Sequence, residues 1–441
     1  MSAAARIADL MERAGVRRVF CVPGESYLPL LNELGARPSI QVVTNRHESS
    51  SSFMAEAYAK AGGGVGVCMA SRAPGALNLA IGLHTAMQDA TPVVALVGQV
   101  PTTVRDRHAF QEVDLARALA PVVKWAGEAG RADRAVEYVA RAFSVALSGR
   151  AGPTAVVLPE DVLHGEAGSA EPELPALCRP GAAPAAPESV EQALQWLTRA
   201  ARPVVVAGRG VLDSQATELL VALAEKMALP VFAAWRRMDV FPNEHPCYAG
   251  SMGLAASPQV VQPLLEADVL LAVGTQWNEI TSLRYRAPRG RFIHVHPDPG
   301  LLAETPSWLP AREALPVVAD PGRFLQALAQ AWERDGSRVG LPPDRRDWVA
   351  QCHRRYLAYS QPRAVAGDGF VHPEGVMRQL AALLPPETAI VSDAGNFTSW
   401  YLRFYRFRKP HTHFAPISGA MGYGLPAAIG VALADRDTGR W

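Results

Sequence analysis

No stretch of the 441 residues approaches the run of about 18 apolar positions that a membrane-crossing helix needs. The start of the chain lacks a signal-peptide core as well. Met1 to Val16 reads as a short amphipathic helix carrying Arg6, Asp9, Glu12 and Arg13. No Cys-x-x-Cys pair is present. The five cysteines (Cys21, Cys68, Cys178, Cys247, Cys352) are odd in number, far apart and mostly inside apolar runs, which argues against a disulfide framework and suits buried thiols in a reducing compartment. An excess of charge is missing too, with 43 basic residues against 42 acidic ones. No Lys/Arg cluster alternates with aromatics as a nucleic-acid groove requires. These absences point to a cytoplasmic globular protein with neither nucleic acid nor membrane as a partner.

What is present is apolar content, 49% of the chain, enough to fill a core in each of about two to four domains. From Ile7 to Leu158, helical periodicity alternates with short apolar runs at Val19–Val22, Ile40–Val43, Val65–Met69, Val93–Val97 and Thr154–Leu158. This alternation predicts a parallel sheet with helices on both faces, an α/β domain over residues 1–165. Its centre is the stretch from Gln41 to Asn78. An apolar strand (Val42, Val43) ends in Thr44-Asn45-Arg46-His47-Glu48, and a helix, a second strand and a Pro74-Gly75 turn follow. An acidic side chain at the C-terminal mouth of a parallel strand lies where open α/β sheets hold their chemistry, so Glu48 is the first candidate. Val22-Pro23-Gly24-Glu25-Ser26, after the first strand, is a turn that lets backbone approach a ligand closely.

From about 165 to 190 the composition shifts to Pro, Ala, Glu and Gly, the signature of an extended linker. A second α/β domain, Rossmann-like over residues 188–335, has strands at Val204–Ala207, Val231–Ala234, Val269–Val273 and Phe292–His296 and helices at Ala216–Ala228 and Pro258–Ala267. Gly208-Arg209-Gly210 imitates the start of a dinucleotide loop but lacks its third glycine. A Pro- and Arg-rich passage from Leu341 to Gly369 leads to a third unit, residues 370–441. That unit holds a helix near Val376–Leu384, a strand at Ala389–Val391, the polar mouth Ser392-Asp393-Ala394-Gly395-Asn396 and a helix at Ala427–Ala434. At about 70 residues, with no strand to receive the last helix, it is expected to be incomplete.

Several pieces then fall in a telling order: Val19-Phe20-Cys21-Val22-Pro23-Gly24, Arg46-His47-Glu48, Met54-Ala55-Glu56-Ala57-Tyr58-Ala59, Pro74-Gly75-Ala76-Leu77-Asn78, Gln88-Asp89-Ala90-Thr91-Pro92, Gly98-Gln99-Val100-Pro101, Ala109-Phe110-Gln111-Glu112 and Gly419-Ala420-Met421-Gly422-Tyr423-Gly424-Leu425-Pro426. Together they resemble the thiamine-diphosphate-dependent enzymes of the acetolactate synthase group. The resemblance implies three α/β domains with parallel sheets flanked by helices, in the order pyrimidine-binding, central and diphosphate-binding, the last truncated. It implies decarboxylation of a small 2-oxo acid such as pyruvate, transfer of the acyl carbanion to a carbonyl acceptor, and a place in branched-chain amino acid biosynthesis. By the same resemblance Glu48 is the acid/base partner of the cofactor's aminopyrimidine, in an apolar neighbourhood expected from Val42, Val43, Phe53 and Met54, and Gln111 approaches the reacting centre. Pro23, Gly24, Pro74, Gly75 and Asn78 shape the pyrimidine pocket. Met421, beside Gly419, wedges beneath the cofactor, and Gly395, Asn396 and Phe397 reach its diphosphate end. His47 is expected to be structural. A homodimer or homotetramer is implied, because the site forms between the first domain of one subunit and the third of another.

The family holds Mg²⁺ with a Gly-Asp-Gly that follows an apolar strand. Gly367-Asp368-Gly369 has no such strand before it and precedes the Met421 motif, so it is rejected as the metal site. The ligands of Mg²⁺ are expected beyond residue 441, and no metal ligand is assigned within the chain. Ser49 to Ser52 and Ala73 depart from the family's small residues. Two other readings stay open: a non-catalytic remnant that keeps the fold for subunit association, and a flavin or nicotinamide oxidoreductase. FAD is a possible cofactor in the central domain, where Gly274-Thr275-Gln276-Trp277 ends a strand.

Overall fold

Val- and Ala-rich runs bounded by Gly, Pro and Asn form the strands of the protein, a computed structural model that describes residues 1–167, 182–253, 256–336, 340–362, 369 and 371–439. Cys178, Gly367 and Asp368, together with linker residues 168–181, lie outside the described residues. The chain forms two compact units: Met1–Gly181 with Val391–Gly395 and Phe414–Trp441, and Ala182–Ile390 with Asn396–His413. Residues 370–441 are therefore shared between the units.

The first unit is built on six strands, β1 (Arg18–Cys21), β2 (Gln41–Thr44), β3 (Gly66–Ser71), β4 (Val93–Gln99), β5 (Trp125–Glu128) and β6 (Pro153–Pro159). They lie parallel in the order β2-β1-β3-β4-β6-β5. Helices α1 (Ala3–Arg13), α2 (Leu28–Gly35), α3 (Glu48–Lys60) and α4 (Arg72–Asp89) alternate with the first strands. Side chains change face at every residue of a strand. Val19, Cys21, Val67, Met69, Val94 and Leu96 pack with α1, α2 and the Ala135–Leu147 helix. On the other face Phe20 meets Tyr58 of α3 edge-on, with ring centroids 5.8 Å apart. Strand β5 escapes a sequence reading because Trp125-Ala-Gly-Glu is neither a continuous apolar run nor an alternating one, as its half-buried edge position allows. Pro74 and Gly75 form no turn. They lie in the first turn of α4, where proline's missing N–H costs no hydrogen bond.

The second unit repeats the layering with β7 (Pro203–Ala207), β8 (Val231–Ala233), β9 (Tyr248–Ser251), β10 (Val269–Val273), β11 (Arg291–His296) and β12 (Glu313–Val318), in the parallel order β12-β11-β10-β7-β8-β9. This is the dinucleotide-fold order 3-2-1-4-5-6 read from the far edge. Part of the Pro- and Arg-rich passage at Leu341–Gly369 is helical: Arg345–Ser360 lays Trp348, Cys352 and Tyr356 at four-residue spacing against the sheet domain. Arg345 is buried and donates to the carbonyls of Ala200 (2.6 Å) and Ala228 (3.3 Å). No described helix is long and apolar enough to cross a membrane.

The last helix, Gly424–Thr438, belongs to the first unit and packs on α3. The two helices approach so closely that a Cβ on Gly430 would lie 2.5 Å from the Met54 carbonyl oxygen. Gly430→Ala raises helix propensity by about 1 kcal/mol, yet the collision with backbone reverses the sign. The expected outcome is a net loss of about 1–3 kcal/mol, read as a lower thermal midpoint. An unchanged or raised midpoint would contradict the close approach.

Candidate functional site

In the first sheet the chain runs from β1 outward to β2 and then crosses back to β3, so the strand order reverses at β1 and β3. Crevices at such points, beyond the C-terminal strand ends, are where open α/β sheets bind ligands. Three segments meet there. The exit of β1 is Val22-Pro23-Gly24-Glu25, with Pro23 exposed. A Cβ on Gly24 would fall 2.4 Å from Ser71 Cβ, so the missing side chain lets this turn touch the last residue of β3. Ser26 Oγ and Ser71 Oγ share a 2.7 Å hydrogen bond just beneath.

Glu48 enters from the end of β2, as the first residue of α3. His47 caps that helix, its Nδ1 accepting from the Ser49 N–H at 3.2 Å, which is the structural part expected of it. The half-buried Glu48 side chain reaches α4, where Asn78 Nδ2 donates to Oε2 at 2.9 Å. Its other oxygen lies over buried Gly75, 3.3 Å from where a Cβ would stand. Glu48 is thus brought to Gly75 and Asn78, which the sequence offered in a separate motif. The apolar neighbourhood expected for Glu48 is corrected at Phe53, which packs on the Tyr423 ring at 5.4 Å, while Val42 and Val43 are half-buried on the outer strand.

Gln111 lies on the loop after β4 with a left-handed backbone (φ +65°). Its carbonyl accepts from the Ala73 N–H at 3.4 Å, which brings the loop to the start of α4, next to Pro74. Glu112 braces the loop by accepting from the N–H groups of Asp106 and Ala109, and these bonds hold its carboxyl below the ordinary range.

Gly419 and Met421 belong to the 417–424 segment of the same unit. Asp393, one residue of the polar mouth noted in the sequence, gathers this segment by accepting from the N–H groups of Gly422 (3.0 Å) and Gly424 (2.9 Å). Ser418 Oγ lies 3.0 Å from Thr85 Oγ1 of α4, and Tyr423 donates to Glu56 Oε2 at 2.7 Å. Met421 stands 75% exposed. Gly395 is placed with the first unit, whereas Asn396 and Phe397 fall in the second, at the start of the Thr398–Phe404 helix.

The second sheet has its own order reversal, between β7 and β10. The Gly208–Gly210 loop lies there, but its N–H groups are already donated, Gly208 to Val273 (3.0 Å) and Gly210 to Gly274 (2.8 Å). A Cβ on Gly208 would stand 2.5 Å from Thr275 Cβ. Nearby, His294 Nε2 hydrogen-bonds to the Thr275 carbonyl at 2.9 Å, and burial pushes its imidazole down to about 4. These glycines serve backbone packing and do not form the open anion cradle of a dinucleotide loop. Among the described residues no group of three His, Cys, Asp or Glu side chains could hold a metal ion.

Sequence reading passed over Arg72 and the ion pairs that hold the last helix. Arg18 binds Asp437 through two nitrogens (2.9 and 2.6 Å), and Tyr58 adds a 2.9 Å hydrogen bond. The Arg18 hydrogen bond holds the Asp437 carboxyl below the ordinary range.

Models of the thiamine pyrophosphate enzyme match the chain in three parts: the N-terminal TPP binding domain over residues 1–118, the central domain over 190–328 and the C-terminal TPP binding domain over 393–440. An acetolactate synthase of Mycobacterium avium is 32% identical over 438 residues, spanning 98% of this chain and 69% of that protein. Acetolactate synthase isozyme 3 large subunit of Escherichia coli is 30% identical over 443 residues, spanning 95% and 73%. An X-ray structure from Mycobacterium smegmatis, of a protein assigned as a thiamin diphosphate-dependent enzyme, shares the fold with a TM-score of 0.81 at 23% identity, over 100% of this chain and 81% of that one.

Because the folded-state pKa of Asp437 lies below its unfolded value of about 4, its stabilisation is complete above that value and is lost as pH falls through the folded one. Asp437→Asn should cost about 3 kcal/mol at neutral pH. Thermal midpoints measured across pH should show the gap to wild type closing below about pH 4. A gap that persists in acid would remove the ion pair as its cause.

Proposed function

The chain belongs to the thiamine pyrophosphate enzyme family, and from that premise we propose that it is an acetolactate-synthase-like enzyme. In this reading it decarboxylates a small 2-oxo acid such as pyruvate and joins the remaining acyl unit to a carbonyl acceptor. The observation that carries the reading is the Glu48 carboxylate at the β1/β3 crevice, one oxygen fixed by Asn78 and the other lying over a residue without a side chain.

These residues fit a thiamine diphosphate pyrimidine, which asks for a half-buried carboxylate beside an open wall. When bound, that cofactor supplies the electron sink that accepts the pair released as carbon dioxide leaves. Asn78 fixes Oε2 of Glu48, so Oε1 is the atom that holds and returns a proton. Pro23, Gly24, Pro74 and Gly75 form the walls, and small residues there allow close approach of backbone. Gln111, on a loop held at the start of α4, is assigned to the reacting centre. Gly419 and Met421 are assigned beneath the cofactor, and Gly395, Asn396 and Phe397 to its diphosphate end. Mg²⁺ is part of this reading, and no residue of the chain is assigned to it. FAD in the second unit has no supporting observation, since the Gly208 loop spends its N–H groups internally.

A homodimer or larger assembly belongs to the proposal. Leu77 and Ile81 on α4, and Leu425 and Ile429 on the last helix, are exposed at four-residue spacing, and Met421 is exposed as well. Exposed apolar stripes of this kind mark association surfaces.

The test combines cofactor titration with turnover. Wild type with thiamine diphosphate and Mg²⁺ should release carbon dioxide from pyruvate. Glu48→Gln, which keeps the shape but not the proton chemistry, should lose about 10²–10⁴ in rate while still binding the cofactor, as read by quenching of tryptophan fluorescence. Full activity in the variant would remove Glu48 from the mechanism. A wild type that binds the cofactor and releases nothing would leave the non-catalytic reading.

A further inference from the structure

The far edge of the second sheet carries a pocket that the chemistry assigned to Glu48 does not use. It opens beside β9, two strands beyond the β7/β10 reversal, and holds about 380 Å³ of empty space with its mouth included, within the range of small-molecule sites. Trp235 from the exit of β8, Tyr356 and Tyr359 from the Arg345–Ser360 helix, and Leu402 and Arg403 from the Thr398–Phe404 helix form its walls, and Ser251 at the end of β9 adds a hydroxyl. All of these belong to the second unit. Gly253 is what lets the indole stand in the wall. Its φ is +147°, and a Cβ on it would lie 2.2 Å from a Trp235 ring carbon.

Arg403 is the one charged side chain among the described residues of the lining. Its Nε donates to the Tyr359 carbonyl at 2.7 Å, and its guanidinium carbon lies 4.3 Å from the centre of the Tyr359 ring and 4.7 Å from that of Phe404. These contacts fix the guanidinium and occupy one nitrogen. Both Nη atoms keep their donors, and no described carboxylate pairs with them. The 396–413 run holds Arg403, Arg406, Arg408 and Lys409 and neither Asp nor Glu. Arg408 finds Glu244 at 3.2 Å, whereas Arg403 has no such counterpart. A helix dipole favours a cation in the last turn. It does not account for one clamped by two rings at the rim of an apolar pocket.

The chemistry of a ligand follows from these parts. An oriented guanidinium with two free Nη atoms matches a carboxylate through two parallel hydrogen bonds. Walls of indole and phenol rings suit a flat aromatic body, through offset and edge-on contacts that an aliphatic body does not make. The remaining lining, Met252, Val260 and Leu402, offers nothing to a second charge. We infer that this pocket is a binding site for a small aryl monocarboxylate, with its carboxylate on the Nη atoms of Arg403 and its ring against Trp235, Tyr356 and Tyr359. The site stands independently of the acetolactate-synthase-like reading.

Benzoate is the probe. The full chain, in the presence of thiamine diphosphate and Mg²⁺, is titrated by calorimetry at constant ionic strength with benzoate, cyclohexanecarboxylate, benzyl alcohol and acetate. Wild type should bind one benzoate per chain. Benzyl alcohol, which keeps the ring and loses the charge, should bind about 10- to 100-fold more weakly, and so should benzoate to Arg403→Gln. Arg403→Lys should recover part of that loss through its charge. Cyclohexanecarboxylate, which keeps the charge and loses the flat ring, should bind about 3- to 10-fold more weakly. Acetate should show no saturable binding. Ser251→Leu, which fills the pocket from a half-exposed position, should abolish benzoate binding with the thermal midpoint unchanged. Arg403 also braces Tyr359, so if Arg403→Gln fails to fold, the benzyl alcohol comparison and Ser251→Leu decide. A wild type that binds no benzoate, or binds acetate as tightly, overturns the inference, as does normal benzoate binding by Ser251→Leu or by folded Arg403→Gln.

Discussion

Helix α3 is fixed by a buried charge cluster at its C-terminal end, and the site at its N-terminal end depends on that placement. Lys60 lies 2.7 Å from Glu56 Oε1 and 3.3 Å from Asp89 Oδ2, with side chains 6%, 0% and 0% exposed. Removing such charges from water costs several kcal/mol per ion, and attraction alone seldom offsets it. The remaining lone pairs are therefore occupied. Thr91 donates to Glu56 Oε1 at 2.8 Å, Tyr423 to Oε2 at 2.7 Å, and the Ile417 N–H to Asp89 at 3.3 Å. These partners come from three segments: the end of α4, the approach to β4, and the 417–423 run. A hydrophobic core would tolerate α3 sliding or rotating by a fraction of a turn, whereas this cluster is satisfied in one arrangement only. Glu48, two and a quarter turns upstream on the same rigid helix, inherits that precision.

The two sheets show how the same residue type serves opposite ends. Both are parallel and both reverse their order, at β1/β3 and at β7/β10. At the first reversal, Gly24 lets one loop rest on Ser71, and Gly75 leaves a bare wall against which the Glu48 carboxylate stands. At the second, Gly208, Gly210 and Gly274 bring two loops into backbone contact and consume the N–H groups that an anion would need. A glycine-rich strand exit therefore says that something approaches closely, without saying whether it is a ligand or the protein's own backbone.

That ambiguity marks the boundary of what the residues disclosed. The inner strands were legible because Val67–Met69, Val93–Val97 or Val204–Ala207 are continuous apolar runs buried on both faces, and such runs have few alternatives. β5, β9 and β12 were not, because edge or near-edge strands can carry Gly, Glu and Pro, as Trp125–Glu128 and Glu313–Val318 do. The Arg345–Ser360 helix hid behind a charged composition whose apolar stripe is only one residue wide. In the site, Glu48 and Asn78 were visible through their motifs, and contact between them follows from both pointing into one crevice. Asp393 was seen only as part of a polar strand mouth, since its work is to bind backbone N–H groups, and sequence does not record which backbone lies nearby.

Arg72 is the instructive omission, because a lone arginine at a helix start is ordinarily unfavourable next to the positive end of the helix dipole. The fold offsets this by converging the exits of three strands, so that Glu25 from β1 and Glu160 from β6 face the guanidinium beyond the end of β3. The cation is thus stabilised by residues about 50 and 90 positions away in sequence, a convergence that only a parallel sheet imposes by bringing all C-terminal ends to one edge. The same edge gathers Glu48, and the consequence is chemical. Asn78 holds the Glu48 carboxylate and two glutamates hold the Arg72 guanidinium, so the two charges leave this edge with separate partners.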